Sequence, residues 1–136
     1  MGRIIPQSEE TKRIVLGRIS VGEDWVLCGR AKYRKGLHVI HMRFCSTDRF
    51  GSSHYKFNIN PNTLSADYEV WICGDANTYY LIPNQLMRRI YCDPESYVDS
   101  RHPEIRVVSV NADKNTITYA TGGRNIDITQ YLSRTL

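Results

Sequence analysis

The chain predicts a mixed α+β or α/β domain: a mainly antiparallel β-sheet of about six strands with two or three helices. Three observations predict it. Apolar residues recur at a period of two in six short stretches, each bounded by Gly, Asn, Asp or Pro. Between and before them lie segments with helix-start and helix-stop signals. The 136 residues, 41% hydrophobic and 24% charged, suit one core in a single domain spanning 1–136, with no repeat, linker or low-complexity stretch. The alternative for so many short strands is a β-rich pseudobarrel.

Ser8-Glu9-Glu10 opens the first element, with two acids at the positive end of a helix. From Lys12 to Val21 both periods fit, and a helix ending near Gly17 or Gly22 is the expectation. The stretch 22–36 also predicts a helix, because Glu23 and Asp24 open it, Arg34 and Lys35 close it, and Gly36 stands at the C-cap position. After Gly36 the period becomes two. Leu37 to Cys45 predicts a strand with Val39, His41 and Arg43 on one face and Ile40, Met42 and Phe44 on the other. A polar turn over 46–53 leads to an answering strand, 55–59, which Asn60-Pro61-Asn62 ends. Asp67–Cys73 and Thr78–Ile82 predict the clearest hairpin, around Gly74-Asp75-Ala76-Asn77. Pro83 stops that strand and 84–91 predicts a short helix. Arg106–Val110 and Thr116–Ala120 pair across 111–115, and 127–132 closes the chain as a short helix or an extended tail.

Cys28, Cys45, Cys73 and Cys92 form no CxxC pair, which argues against a structural zinc site. The chain shows no apolar leader, no membrane-spanning run and no N-x-Ser/Thr acceptor, so a cytoplasmic, reducing location is expected and no membrane partner. The net charge of +4 is unevenly placed: residues 1–60 carry eleven Lys/Arg against five Asp/Glu, and the rest seven against nine. A basic half of this kind holds polyanions through counterion release. Lys32, Arg34, Lys35, Arg43, Arg49 and Lys56 are the candidate phosphate contacts, with Tyr33, Phe50 and Tyr55 interleaved as stacking surfaces. Glu69 and Asp75 make the 66–83 hairpin a poor phosphate surface, which places the binding face in the first half.

Motifs for other chemistries are missing: no Walker loop, GxSxG, HExxH or GxGxxG occurs. His38 and His41 point to opposite faces of a strand, and His41 and Cys45 stand roughly 13 Å apart along it, too far for one ion. Ser52 and Ser53 beside His54 read as turn residues. The most pointed constellation is Asp48 followed by His54-Tyr55-Lys56. A carboxylate at one strand end and an acid-x-lysine on its neighbour would hold Mg²⁺, the lysine stabilising charge on the attacked phosphate.

Through these residues the chain resembles the restriction-endonuclease-like, or PD-(D/E)xK, nucleases over about residues 22–91. Gly22-Glu23, Arg34-Lys35-Gly36 before an apolar strand, His54–Asn58, Ala66–Ile72 and Tyr79-Tyr80-Leu81-Ile82-Pro83 carry the resemblance. It implies a catalytic set of Asp48, His54, Lys56 and Glu23, with Asp48 as metal ligand and Mg²⁺ as cofactor if the chain is active. Thr47 replaces the proline of that motif and His54 its second acid, which favours binding over cleavage by this chain alone. The expected function is thus a DNA-binding domain of a restriction or defence-type system, gripping the backbone of double-stranded DNA. A pseudobarrel similar to the plant B3 domain would serve the same end. The alternatives are an active Mg²⁺-dependent nuclease using Asp48 and Lys56, and a protein-interaction module of a phage or plasmid accessory protein; a homodimer fits any of the three.

Overall fold

The computed structural model describes residues 7–20, 25–46 and 53–136. Helix α1 (Gln7–Ile19) begins the chain as expected, with Glu9 and Glu10 in its first turn and Arg18 in its last. Val15, Leu16 and Ile19 form its buried stripe.

The expected helix over 22–36 is absent from its described part, which forms a hairpin of β1 (Val26–Gly29) and β2 (Lys32–Lys35). Arg30-Ala31 turns β1 into β2 with Ala31 at φ +54°, and Gly36-Leu37 turns β2 into β3 (His38–Cys45) with Gly36 at φ +62°. Gly36 is therefore a turn glycine and not a helix cap. The reversal has a tertiary cause. Pairing of β2 with β3 from Lys32↔His41 to Lys35↔His38 puts Tyr33 against the core beneath α1, a gain that local helix signals do not register.

The next strand, β4 (His54–Ile59), was expected to pair with β3 as a hairpin. It belongs to a different sheet. A 3₁₀ turn (Thr63–Ser65) returns the chain to β5 (Tyr68–Cys73), which lies parallel to β3, from Ile40↔Tyr68 to Cys45↔Cys73. Strand β6 (Tyr79–Pro83) completes the expected hairpin with β5, and helix α2 (Asn84–Cys92) follows Pro83 directly. Leu86, Met87 and Ile90 are its buried face. Strands β7 (Arg106–Asn111) and β8 (Thr116–Ala120) pair as expected, joined by β9 (Arg124–Asp127) and a final 3₁₀ turn (Thr129–Tyr131).

The class is α+β, and the described residues form nine strands in two sheets ordered β1-β2-β3-β5-β6 and β4-β7-β8-β9. No ladder among the described strands closes a barrel. Strands β5 and β6 of the five-stranded sheet are covered on both faces. Ile40, Met42, Val70, Ile72 and Leu81 pack under α1, and Trp71, Cys73, Tyr80 and Ile82 pack against Phe57, Ile59, Val108, Val110 and Ile117 of the second sheet. Double burial explains why Val70 to Cys73 reads as an unbroken apolar run. Phe57 stacks on Trp71 at 4.8 Å between ring centroids, and the Tyr80 hydroxyl donates to Asn115 Oδ1 at 2.6 Å across the two sheets. No described helix is long and apolar enough to cross a membrane.

Candidate nucleic-acid interface

A recess beside several of the chain's cations opens between β3 and the end of β4. It measures about 530 Å³. Lys12 enters it from α1, Arg30 from the β1–β2 turn, His41 and Arg43 from β3, and Asn58, Asn60 and Asn62 from the end of β4 and the loop after it. No Asp or Glu is among the described residues that line it. Three cations from three separate elements therefore converge on amide side chains, a combination of charge and hydrogen bonding suited to an anion.

Two polar atoms at its wall are buried and have no hydrogen-bond partner among the described residues: Arg43 Nε and Asn58 Oδ1. An unmet buried donor or acceptor is costly. Asn60 is held by its neighbours, its Oδ1 accepting the backbone N–H of Asn62 at 2.9 Å and of Thr63 at 3.1 Å. A smaller recess of about 260 Å³ adjoins Arg43 and Asn58 and brings in Lys56.

Behind the cleft lies a buried polar cluster. His41 is 4% exposed and Glu69 1%. His41 Nδ1 lies 2.9 Å from both carboxylate oxygens of Glu69, and Trp71 Nε1–H donates to Glu69 Oε1 at 3.1 Å. Burial pushes the Glu69 carboxyl above its ordinary pKa, and the His41 hydrogen bond and charge, the Arg43 charge and the Trp71 hydrogen bond all oppose that rise. Glu69 thus contributes nothing to the charge of the outer surface, contrary to the expectation that it weakens the 66–83 hairpin as a phosphate surface.

The sequence-predicted contacts divide. Arg43 and Lys56 come together as described. Lys32 and Arg34 share the face of the sheet that carries His41, and Lys32 Nζ bonds Ser65 Oγ. Tyr33 and Lys35 lie on the opposite face. Tyr33 packs beneath α1, where burial and then the charge of Glu9 raise its hydroxyl pKa. Lys35 Nζ sits 5.9 Å from the Trp25 ring centre and donates to the Ser20 carbonyl at 3.3 Å. Tyr55 packs inward against the inter-sheet core and Gly74, so it is not an open stacking surface. His54 stands on β4 opposite Asn111. Because β4 is not β3's neighbour in a sheet, His54 and Lys56 are not on the adjacent-strand pair that the nuclease-like arrangement needs. Asp48, Arg49, Phe50 and Glu23 lie outside the described residues. Among the described residues, no three of His, Cys, Asp and Glu are grouped to hold a metal ion.

Lys12 and the three asparagines were missed by sequence reasoning, since Lys12 is far from the asparagines in the chain and these read as strand-end and turn residues. A signal did exist for the buried pair. Glu69 is the one acid inside an apolar strand, and His41 occupies the matching inward position on the strand beside it. Comparison with family models, curated proteins and solved structures finds no match to this chain.

Proposed function

We propose that this domain binds nucleic acid by its phosphodiester backbone in the cleft between β3 and the end of β4. The observation that carries the reading is the convergence of Lys12, Arg30 and Arg43 on one recess with no acid among its described lining. Arg43 Nε and Asn58 Oδ1 are buried at its wall without a hydrogen-bond partner among the described residues, so the polar groups there are not consumed by the fold. The excess positive charge of residues 1–60 supplies a field that attracts a polyanion. A recess of this size admits one nucleotide of a flexible strand and not the full width of a duplex, so single strands are the preferred form.

Fluorescence anisotropy with labelled single-stranded RNA, single-stranded DNA and duplex DNA tests the reading. Single strands should bind more tightly, and affinity should fall steeply between about 50 and 200 mM salt. Binding that does not change over that range, or no binding at low salt, would overturn it.

A further inference from the structure

We infer that the cleft is a ribonuclease site, in which the imidazole of His41, oriented by Glu69, takes the proton from a ribose 2′-hydroxyl. This rests on the nucleic-acid reading of the cleft and adds an activity to it.

The first support is the cost of the pair. A carboxylate and an imidazole are both removed from water at the centre of a sheet, where apolar residues would fill the same volume with less penalty. The second is orientation. Both hydrogen bonds described for His41 are made by Nδ1 to Glu69, which fixes the ring and leaves Nε2 as the nitrogen available for proton exchange in the cleft that His41 lines. Trp71 N–H donating to the same carboxylate holds Glu69 in turn, so base, orienter and support form one chain of contacts. The third is the neighbour. Arg43 follows on the same face of β3 and lines the same cleft, where its guanidinium would stabilise charge on a phosphoryl group beside His41.

These groups suit attack by an internal nucleophile, because a 2′-hydroxyl is already held next to its phosphorus and needs only to lose a proton in the correct geometry. His41 Nε2 accepts that proton as the O2′–P bond forms and the P–O5′ bond breaks. The departing 5′-oxygen takes a proton from water, and the imidazolium returns its own to the hydroxide left behind. The products are a 2′,3′-cyclic phosphate and a 5′-hydroxyl end, with no change of oxidation state. Arg43 carries the extra negative charge of the five-coordinate phosphorus. Glu69 is a positioning residue.

The test incubates the full chain in EDTA with a short single-stranded RNA, with the same RNA carrying one 2′-deoxy position at the cut, and with DNA of the same sequence, while anisotropy reports binding. RNA should be cut to cyclic-phosphate ends, and the deoxy position and the DNA should resist. His41→Asn should bind RNA and slow cleavage by roughly 10²–10⁴-fold. Glu69→Gln should lower kcat and leave KM unchanged, the split expected of a residue that positions His41 without touching the RNA. RNA that is bound but remains intact would overturn the inference and leave the binding reading in place, whereas failure to bind would overturn both. Cutting of DNA, or cutting by folded His41→Asn at the original rate, would also overturn it. The deoxy substrate needs no variant, so the outcome does not depend on any substitution folding.

Discussion

Glu69 Oε1 accepts from Trp71 Nε1–H, two residues along its own strand, at 3.1 Å, and lies 2.9 Å from His41 Nδ1 on the parallel strand beside it. Parallel pairing of β3 with β5 places His41 directly opposite Glu69, so the register of two strands sets the contact. Removing the carboxylate leaves two buried nitrogens without their acceptor. Glu69→Ala is expected to destabilise the domain by about 3–5 kcal/mol, measured by urea unfolding at neutral pH.

The pH dependence of that residue has a definite sign. Its pKa is raised above the ordinary 4.5 by burial, so the folded protein holds the proton more tightly than the unfolded chain. Its contribution to stability is complete below 4.5 and is lost as pH rises through the folded value. Glu69→Gln lacks this titration, so its stability relative to the parent should improve as pH rises. Denaturant midpoints across a pH series check this, and a gap that widens with pH would contradict it.

Asp93 titrates in the opposite sense. The backbone N–H of Glu95, the Tyr119 hydroxyl and Arg124 hold its carboxyl below the ordinary 3.8. Its share of stability is present above 3.8 and disappears as pH falls through the lower folded value. Asp93→Asn should therefore flatten the acid limb of the stability profile and leave the alkaline limb unchanged, as followed by circular dichroism.

The hairpin that replaced an expected helix makes its own prediction. Ala31 sits at φ +54° in the β1–β2 turn, a conformation glycine adopts without strain. Ala31→Gly should stabilise the domain by up to about 1 kcal/mol. In a helix the same change would cost about 1 kcal/mol, so the sign of the shift in melting temperature separates the two.

Gly74 is constrained by a close approach and by its backbone. At φ +84°, an added Cβ would come 2.9 Å from the Tyr55 hydroxyl oxygen. Gly74→Ala should cost more than about 1 kcal/mol. Placing it in a Tyr55→Phe background should recover the part due to the clash and leave the part due to φ, a difference read from a double-mutant cycle.

Lys35 and Arg43, similar in a list of cations, are separated by the thickness of a sheet. Arg43→Ala should lower the salt slope of single-strand binding by about 0.7, and Lys35→Ala should leave it unchanged. Titrations at several salt concentrations compare them.

Period-two stretches such as Tyr68–Cys73 and Tyr79–Pro83 were legible because a hairpin's partners are close in sequence and their turn residues lie between them. The stretch 26–35 was not, because acids before bases before glycine is a pattern that two tight turns also produce, and only contact with β3 and α1 decides between them. Assignment of β4 to a second sheet was equally hidden, since its partner β7 begins 47 residues after β4 ends. The cleft was half legible: Arg43, and Lys56 in the recess beside it, announced themselves by charge, whereas Lys12, Arg30 and the asparagines acquire meaning only from where the chain crosses itself.

The order in which the chain visits its two sheets binds their fates together. After β3 it departs to lay down β4, then returns to set β5 beside β3, and only much later supplies β7 to support β4. A polypeptide ended after α2 would leave β4 with no strand to pair with, its Phe57 and Ile59 facing water where β7 and β8 should be. Halves of this domain are therefore not expected to fold alone, and loss of structure in one layer should be felt in the other within a single cooperative transition.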